Sequence, residues 1–212
     1  MNDSLSVGKA FISCIAERDV MIQEMPFQSG KTLAKIGSFF LLLPISLGGI
    51  LNLTLPFPYI NIVGLILLLI GIQSFSEYYR DESLSRNALY GTILGIVAGI
   101  FEIFFPSTLI TFNLAIIATD LISLSAWIVA VIFLVFEAFY FKRVFDNLAG
   151  RSGGKLFRYG GLLLLIGSVF TIILIGFALE YVAWAIITAA FFLITPNPQR
   201  QTAQPQSLST ES

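Results

Sequence analysis

Six long apolar runs, separated by short polar or proline-bearing segments, make up most of the chain. They cover residues 33–51, 59–76, 88–105, 121–141, 159–177 and 179–195. Each lies near the ~20 residues an α-helix needs to cross the hydrocarbon core of a bilayer. Asn52–Pro58 (NLTLPFP) reads as a turn, because two prolines and an asparagine cannot continue a helix. Glu77–Asn87 (EYYRDESLSRN) and Lys142–Arg158 (KRVFDNLAGRSGGKLFR) read as a charged and a basic connection, and Gly176–Glu180 as the turn of a closing hairpin. Residues 106–120 fit two readings. One is an outer loop, re-entrant segment or surface helix; the other is the start of a long, tilted fourth helix.

The expectation is an all-α integral membrane protein, a polytopic bundle of about six transmembrane helices occupying residues 31–195. Residues 1–30 form a cytoplasmic N-terminal segment. It is either amphipathic or a start extended beyond a native Met25, and it lacks the pattern of a signal peptide. Residues 196–212 are rich in Pro, Gln, Ser and Thr and are expected to be disordered.

Charge sets the threading. All twelve Lys and Arg fall before the first run or at its very start (Lys35), in the two charged connections, or in the tail. With six spans these lie on one side, and cytoplasmic loops carry the Lys/Arg excess. Both termini are therefore expected in the cytoplasm of a multi-pass cell-membrane protein. Composition supports lipid as the solvent. The chain is 56% hydrophobic and only 12% charged, against roughly 25% charged residues in soluble domains.

The chain has one cysteine, Cys14, and no histidine. The usual Cys/His metal sites and histidine-based catalysis are thereby excluded, and the expectation is no enzyme, no metal and no cofactor. Gly30-Lys31-Thr32 imitates the end of a phosphate-binding loop, but the first glycine of that motif would fall on Met25. No nucleotide and no nucleic acid is expected as a partner. Asn52-Leu53-Thr54 is a glycosylation sequon that hugs the membrane.

Three features stand out as candidate sites. Gly91, Gly95 and Gly99 recur every four residues and share one helical stripe. Such a stripe lets helices approach closely, within the chain or between two copies. Glu102 continues the stripe, and a carboxylate within a span is costly unless paired, protonated or hydrated. It is a candidate proton or ion site, with Asp120 as a neighbour; a structural hydrogen bond near the headgroups is the blander reading. Glu137 and Asp120 lie roughly 25 Å apart on a continuous helix, too far to share an ion. The third feature is the basic cluster Lys142, Arg143, Arg151, Lys155 and Arg158, read as a loop facing lipid headgroups or as ordinary topogenic charge.

A faint internal repeat relates Gly30-Lys31 with Gly37 to Gly154-Lys155 with Gly161. Two polar blocks carry a resemblance as well. Ser76–Gly91 (SEYYRDESLSRNALYG) and Phe145–Gly167 (FDNLAGRSGGKLFRYGGLLLLIG) resemble the signatures of an archaeal multi-pass membrane family, domain-of-unknown-function family 996. Gly30–Leu43 resembles its opening. The resemblance implies a small integral membrane protein and supplies no activity. The expected function is a structural or accessory membrane component, associated with lipid and with other subunits or itself. The alternative is a small transporter or channel using Glu102.

Overall fold

A computed structural model describes residues 26–43, 57–103, 121–173 and 175–196. Six α-helices occur among them: α1 (26–43), α2 (Phe57–Tyr79), α3 (Glu82–Ile103), α4 (Leu121–Ser152), α5 (Lys155–Phe170) and α6 (Ile175–Leu193). A 3-10 turn, Thr171–Ile173, follows α5. Three helices hold stretches long and apolar enough to cross a membrane: Ile60–Tyr79, Glu82–Phe101 and Ile175–Leu193. Large apolar residues also cover the outer faces, among them Ile66, Ile93, Ile132, Phe136 and Phe192. A helix that is apolar inside and out is suited to lipid rather than water.

α1 and α2 meet almost backbone to backbone. A methyl group added at Gly37 would lie 2.5 Å from the Leu68 amide nitrogen, and one at Gly71 would lie 2.6 Å from that of Ala34. Gly30 and Gly64 complete this seam, the glycines on each helix lying seven positions apart. Without side chains to separate them, the two helices gain dispersion contacts that lipid tails cannot match.

The core is densest at the end where α2 meets α3 and α4 meets α5. Phe27, Phe75, Phe141, Phe145, Phe157 and Phe191 are all fully buried there. The Phe157 and Phe191 rings meet edge to face at 4.9 Å, and Phe75 stacks on Phe191 at 6.1 Å. Lys31 Nζ donates to the Ile194 carbonyl at 2.6 Å, tying the start of α1 to the chain just past α6.

Both connections at this end are shorter than the sequence pattern implies. α2 runs to Tyr79 and α3 begins at Glu82, leaving two residues between them. Arg80 takes a positive φ of 51° to make that reversal. α4 continues past Phe141 to Ser152, so the expected basic loop is mostly helix. Its apolar face persists through Phe141, Val144, Phe145 and Leu148, all buried, and Lys142 pairs with Asp146 one turn on at 2.5 Å. Gly153 ends the helix with φ 76°, its amide bonded to the Ala149 carbonyl at 2.9 Å.

The 3-10 turn of the last hairpin, Thr171–Ile173, comes ahead of the expected turn at Gly176–Glu180, which is helical. A methyl at Gly176 would strike the Thr171 amide nitrogen and the Gly167 carbonyl, so the glycine permits the tight reversal. The two copies of the faint repeat also pack differently. Gly37 faces α2, whereas Gly161 faces Lys142 and Phe145 of α4.

Candidate functional site

The most organised polar group lies at the α2–α3 turn. Asp81 caps α3: its Oδ1 accepts from the Ser83 amide at 3.1 Å and the Ser83 hydroxyl at 2.6 Å. Its backbone carbonyl accepts from the Ser76 hydroxyl at 2.7 Å. The last turns of α4 then close over the cap. Arg151 Nη2 lies 3.2 Å from Asp81 Oδ2, and Asn147 Nδ2 donates to Ser83 Oγ at 3.0 Å. Burial pushes the Asp81 carboxyl up, but the Ser83 hydrogen bonds and the Arg151 guanidinium outweigh it and hold the group below its ordinary value.

The capping aspartate satisfies the orphan Ser83 amide at the start of α3, and the cation of α4 compensates its charge. Beside the turn is a cleft of about 470 Å³ lined by Gln73, Ser76, Glu77, Glu82, Ser85, Arg86 and Leu89.

Above this clasp, α3 and α4 run antiparallel in a fixed register. A methyl at Gly91 would lie 3.2 Å from the Phe141 ring, and one at Gly95 would lie 2.6 Å from Glu137 Oε1 and 2.8 Å from Leu65 Cδ1 of α2. Each four-residue step up α3 meets a four-residue step down α4. Glu137 is 9% exposed, so its carboxylate lies in the interior against the glycine stripe. An added methyl at Gly99 would meet nothing within 4 Å.

Glu102 falls in the last turn of α3. Its side chain and the whole of Asp120 lie outside the described residues. The basic cluster divides. Lys142 is paired with Asp146, Arg143 lies over the Phe139 ring at 4.4 Å, and Arg151 holds Asp81. Lys155 and Arg158, at the start of α5, are exposed. Sequence reasoning passed over Asp81, Ser83 and Asn147, and weighed Glu137 for its distance from Asp120. The signal for the first was present, since Asp is a preferred N-cap residue and an acidic residue, Glu82, follows it in the first turn. Among the described residues no group of acidic and cysteine side chains could hold a metal ion.

Comparison with known proteins bears on the two polar blocks that form the clasp. A family described as Protein of unknown function (DUF996) matches residues 60–185. The chain belongs to the DUF996 family. An uncharacterized protein of Methanocaldococcus jannaschii is 28% identical over 142 residues, 64% of this chain and 74% of that protein. No solved structure matches the chain. The DUF996 match contains both halves of the clasp, Asp81 and Arg151, and both sides of the α3–α4 contact, Gly95 and Glu137. The arrangement can bind two helix hairpins together through a compensated charge, and it buries one carboxylate between them.

Proposed function

We infer that this DUF996 protein is a multi-pass integral membrane protein with both termini in the cytoplasm, acting as a structural or accessory component of the membrane and not as an enzyme. One observation carries this reading. The clasp end of the bundle is filled by six fully buried phenylalanines, and the polar groups of the clasp are bonded to one another. The three long apolar helices support insertion in a bilayer, and the gathering of Arg80, Arg86, Arg151, Lys155 and Arg158 around two neighbouring connections supports the orientation.

The test is extraction of the tagged protein in mild detergent from its native membrane, followed by sizing and identification of co-purifying chains. Defined partners in a stable larger complex are the expected result. A lone monomer would overturn the accessory role. Orientation is checked separately in a Cys14→Ser background, where cysteines at Ser85 and Lys155 should react with impermeant maleimide only from the cytoplasmic side.

A second reading, a small transporter or channel using an intramembrane carboxylate, draws on the buried Glu137 as well as Glu102. It requires pH-dependent flux in proteoliposomes that falls on Glu137→Gln or Glu102→Gln.

A further inference from the structure

We propose that the outer groove between α3 and α4 binds one anionic phospholipid, with its phosphate between Arg86 and Arg143 and its chains along the groove below. The proposal rests on the reading that these helices cross a bilayer. It names the lipid chemistry and the residues that would select it.

On α3, Arg86, Tyr90 and Ile93 recur every three or four residues and share one side of the helix. On α4, Phe136, Tyr140 and Arg143 do the same. The two sets face one another across the pair, because the Tyr90 and Tyr140 rings meet at 5.4 Å. The groove lies on the surface: Tyr90 is 46% exposed and Phe136 54%.

The antiparallel register places the two arginines at one depth. Arg86 lies four residues from Tyr90 toward the charged end, and Arg143 lies three residues from Tyr140 in the same direction, about 6 Å and about 4.5 Å along the axis. In the opposite direction the groove becomes wholly apolar, with Ile93 and Phe136 exposed at its edges. The order along the groove is thus cation pair, tyrosine pair, aliphatic and aromatic wall. A phospholipid has the matching order of phosphate, glycerol and ester oxygens, and hydrocarbon.

The charge is available for a ligand. Arg86 and Arg143 make no ion pair among the described residues. The acid nearest Arg143 along α4, Asp146, is taken by Lys142. Arg143 rests on the Phe139 ring, which fixes its guanidinium beside the groove without neutralising it. Arg86 also borders the cleft that holds Glu77 and Glu82. Glu77 belongs to α2 and Glu82 lies one turn before Arg86 on α3, and neither forms an ion pair with it among the described residues. A zwitterionic lipid would bring its own cation against the arginine pair, so charge favours an anionic headgroup.

The experiment titrates purified protein in detergent with phosphatidylglycerol and, separately, phosphatidylcholine, counting bound lipid by native mass spectrometry. One phosphatidylglycerol should be retained in preference to phosphatidylcholine. Each basic residue near an anionic headgroup is worth about a five-fold change in binding, so R86Q/R143Q should weaken retention about 25-fold. K155Q/R158Q removes two exposed cations from the same end and should leave it unchanged. R86K/R143K keeps the charge and should retain the lipid, separating lost binding from lost folding. Equal retention of the two lipids, or equal loss in both glutamine variants, would overturn the groove while leaving the membrane reading intact. Recovery of the protein in the aqueous fraction without detergent would overturn both.

Discussion

Arg151 Nη2 lies 3.2 Å from Asp81 Oδ2, across 70 residues of sequence. That contact joins the turn between α2 and α3 to the last turn of α4, and it brings together the two polar blocks through which the chain resembles its family. Asp81 holds the start of α3 with its other oxygen, so one side chain caps a helix and docks a second one.

Asp81→Ala should destabilise the folded protein more than Asp81→Asn, because asparagine still caps a helix. Loss of an N-cap costs about 1 kcal/mol, and that is the expected difference between the two variants in detergent unfolding. The pH dependence has a definite sign. The Asp81 carboxyl is held below its ordinary value of 3.8 when folded. Its ionised form therefore contributes stability that is fully present above that value and is lost as pH falls through the folded one. The gap between wild type and Asp81→Asn should close below about pH 4.

The ion pair itself should be modest. The Arg151 side chain is 41% exposed, and exposed pairs are worth at most about 1 kcal/mol. A double-mutant cycle of Asp81→Asn and Arg151→Gln should give a coupling no larger than that, and 1 M salt should shrink it. A coupling of several kcal/mol would show that the pair is sealed from solvent.

Glycine substitutions should rank by what the new methyl meets. Gly37→Ala and Gly71→Ala drive a carbon into the backbone of the neighbouring helix. Helices must then separate, at a cost of about 1–3 kcal/mol. Gly95→Ala meets only the tips of Glu137 and Leu65, which can move, so it should cost less. Gly99→Ala meets nothing and should be neutral. Thermal unfolding in one detergent, read across the four variants, checks the order.

Gly95 and Glu137 should also compensate each other. Shortening Glu137 to aspartate withdraws the carboxylate from the position an alanine methyl would take at residue 95, where the two now lie 2.6 Å apart. Gly95→Ala combined with Glu137→Asp should be more stable than the sum of the single changes predicts. Strict additivity would mean that the clash is relieved by Leu65 instead.

Much of the helical content was legible because hydropathy is a local property. The apolar runs at 59–76 and 88–105 became α2 and α3, extended at the polar end by three and six residues. The run at 121–141 gave only the first two thirds of α4. Hydropathy fell at Lys142, while the buried period through Val144, Phe145 and Leu148 carried the helix on. The stripe of Gly91, Gly95 and Gly99 stood out by its regular spacing, yet only the first two meet α4. The tighter seam, Gly30 and Gly37 against Gly64 and Gly71, was not legible as a contact: Gly30 and Gly37 stood out only as part of a faint repeat, because the seam's glycines lie seven apart on two different helices. Lys142, Arg143 and Arg151 read as free loop charge because their partners, Asp146, Phe139 and Asp81, become visible only once α4 is continuous and docked.

The sequence by itself determined that this chain is helical and suited to lipid, since summed transfer energies along each run decide that without reference to any other run. The tertiary structure alone decided which glycine meets which neighbour, that Glu137 is the carboxylate enclosed against Gly95, and that Asp81 and Arg151 are partners. Those outcomes depend on the rotation and register of one helix against another. A shift of a single residue turns a helical side chain by 100°, and no periodicity within one helix specifies the phase of its neighbour.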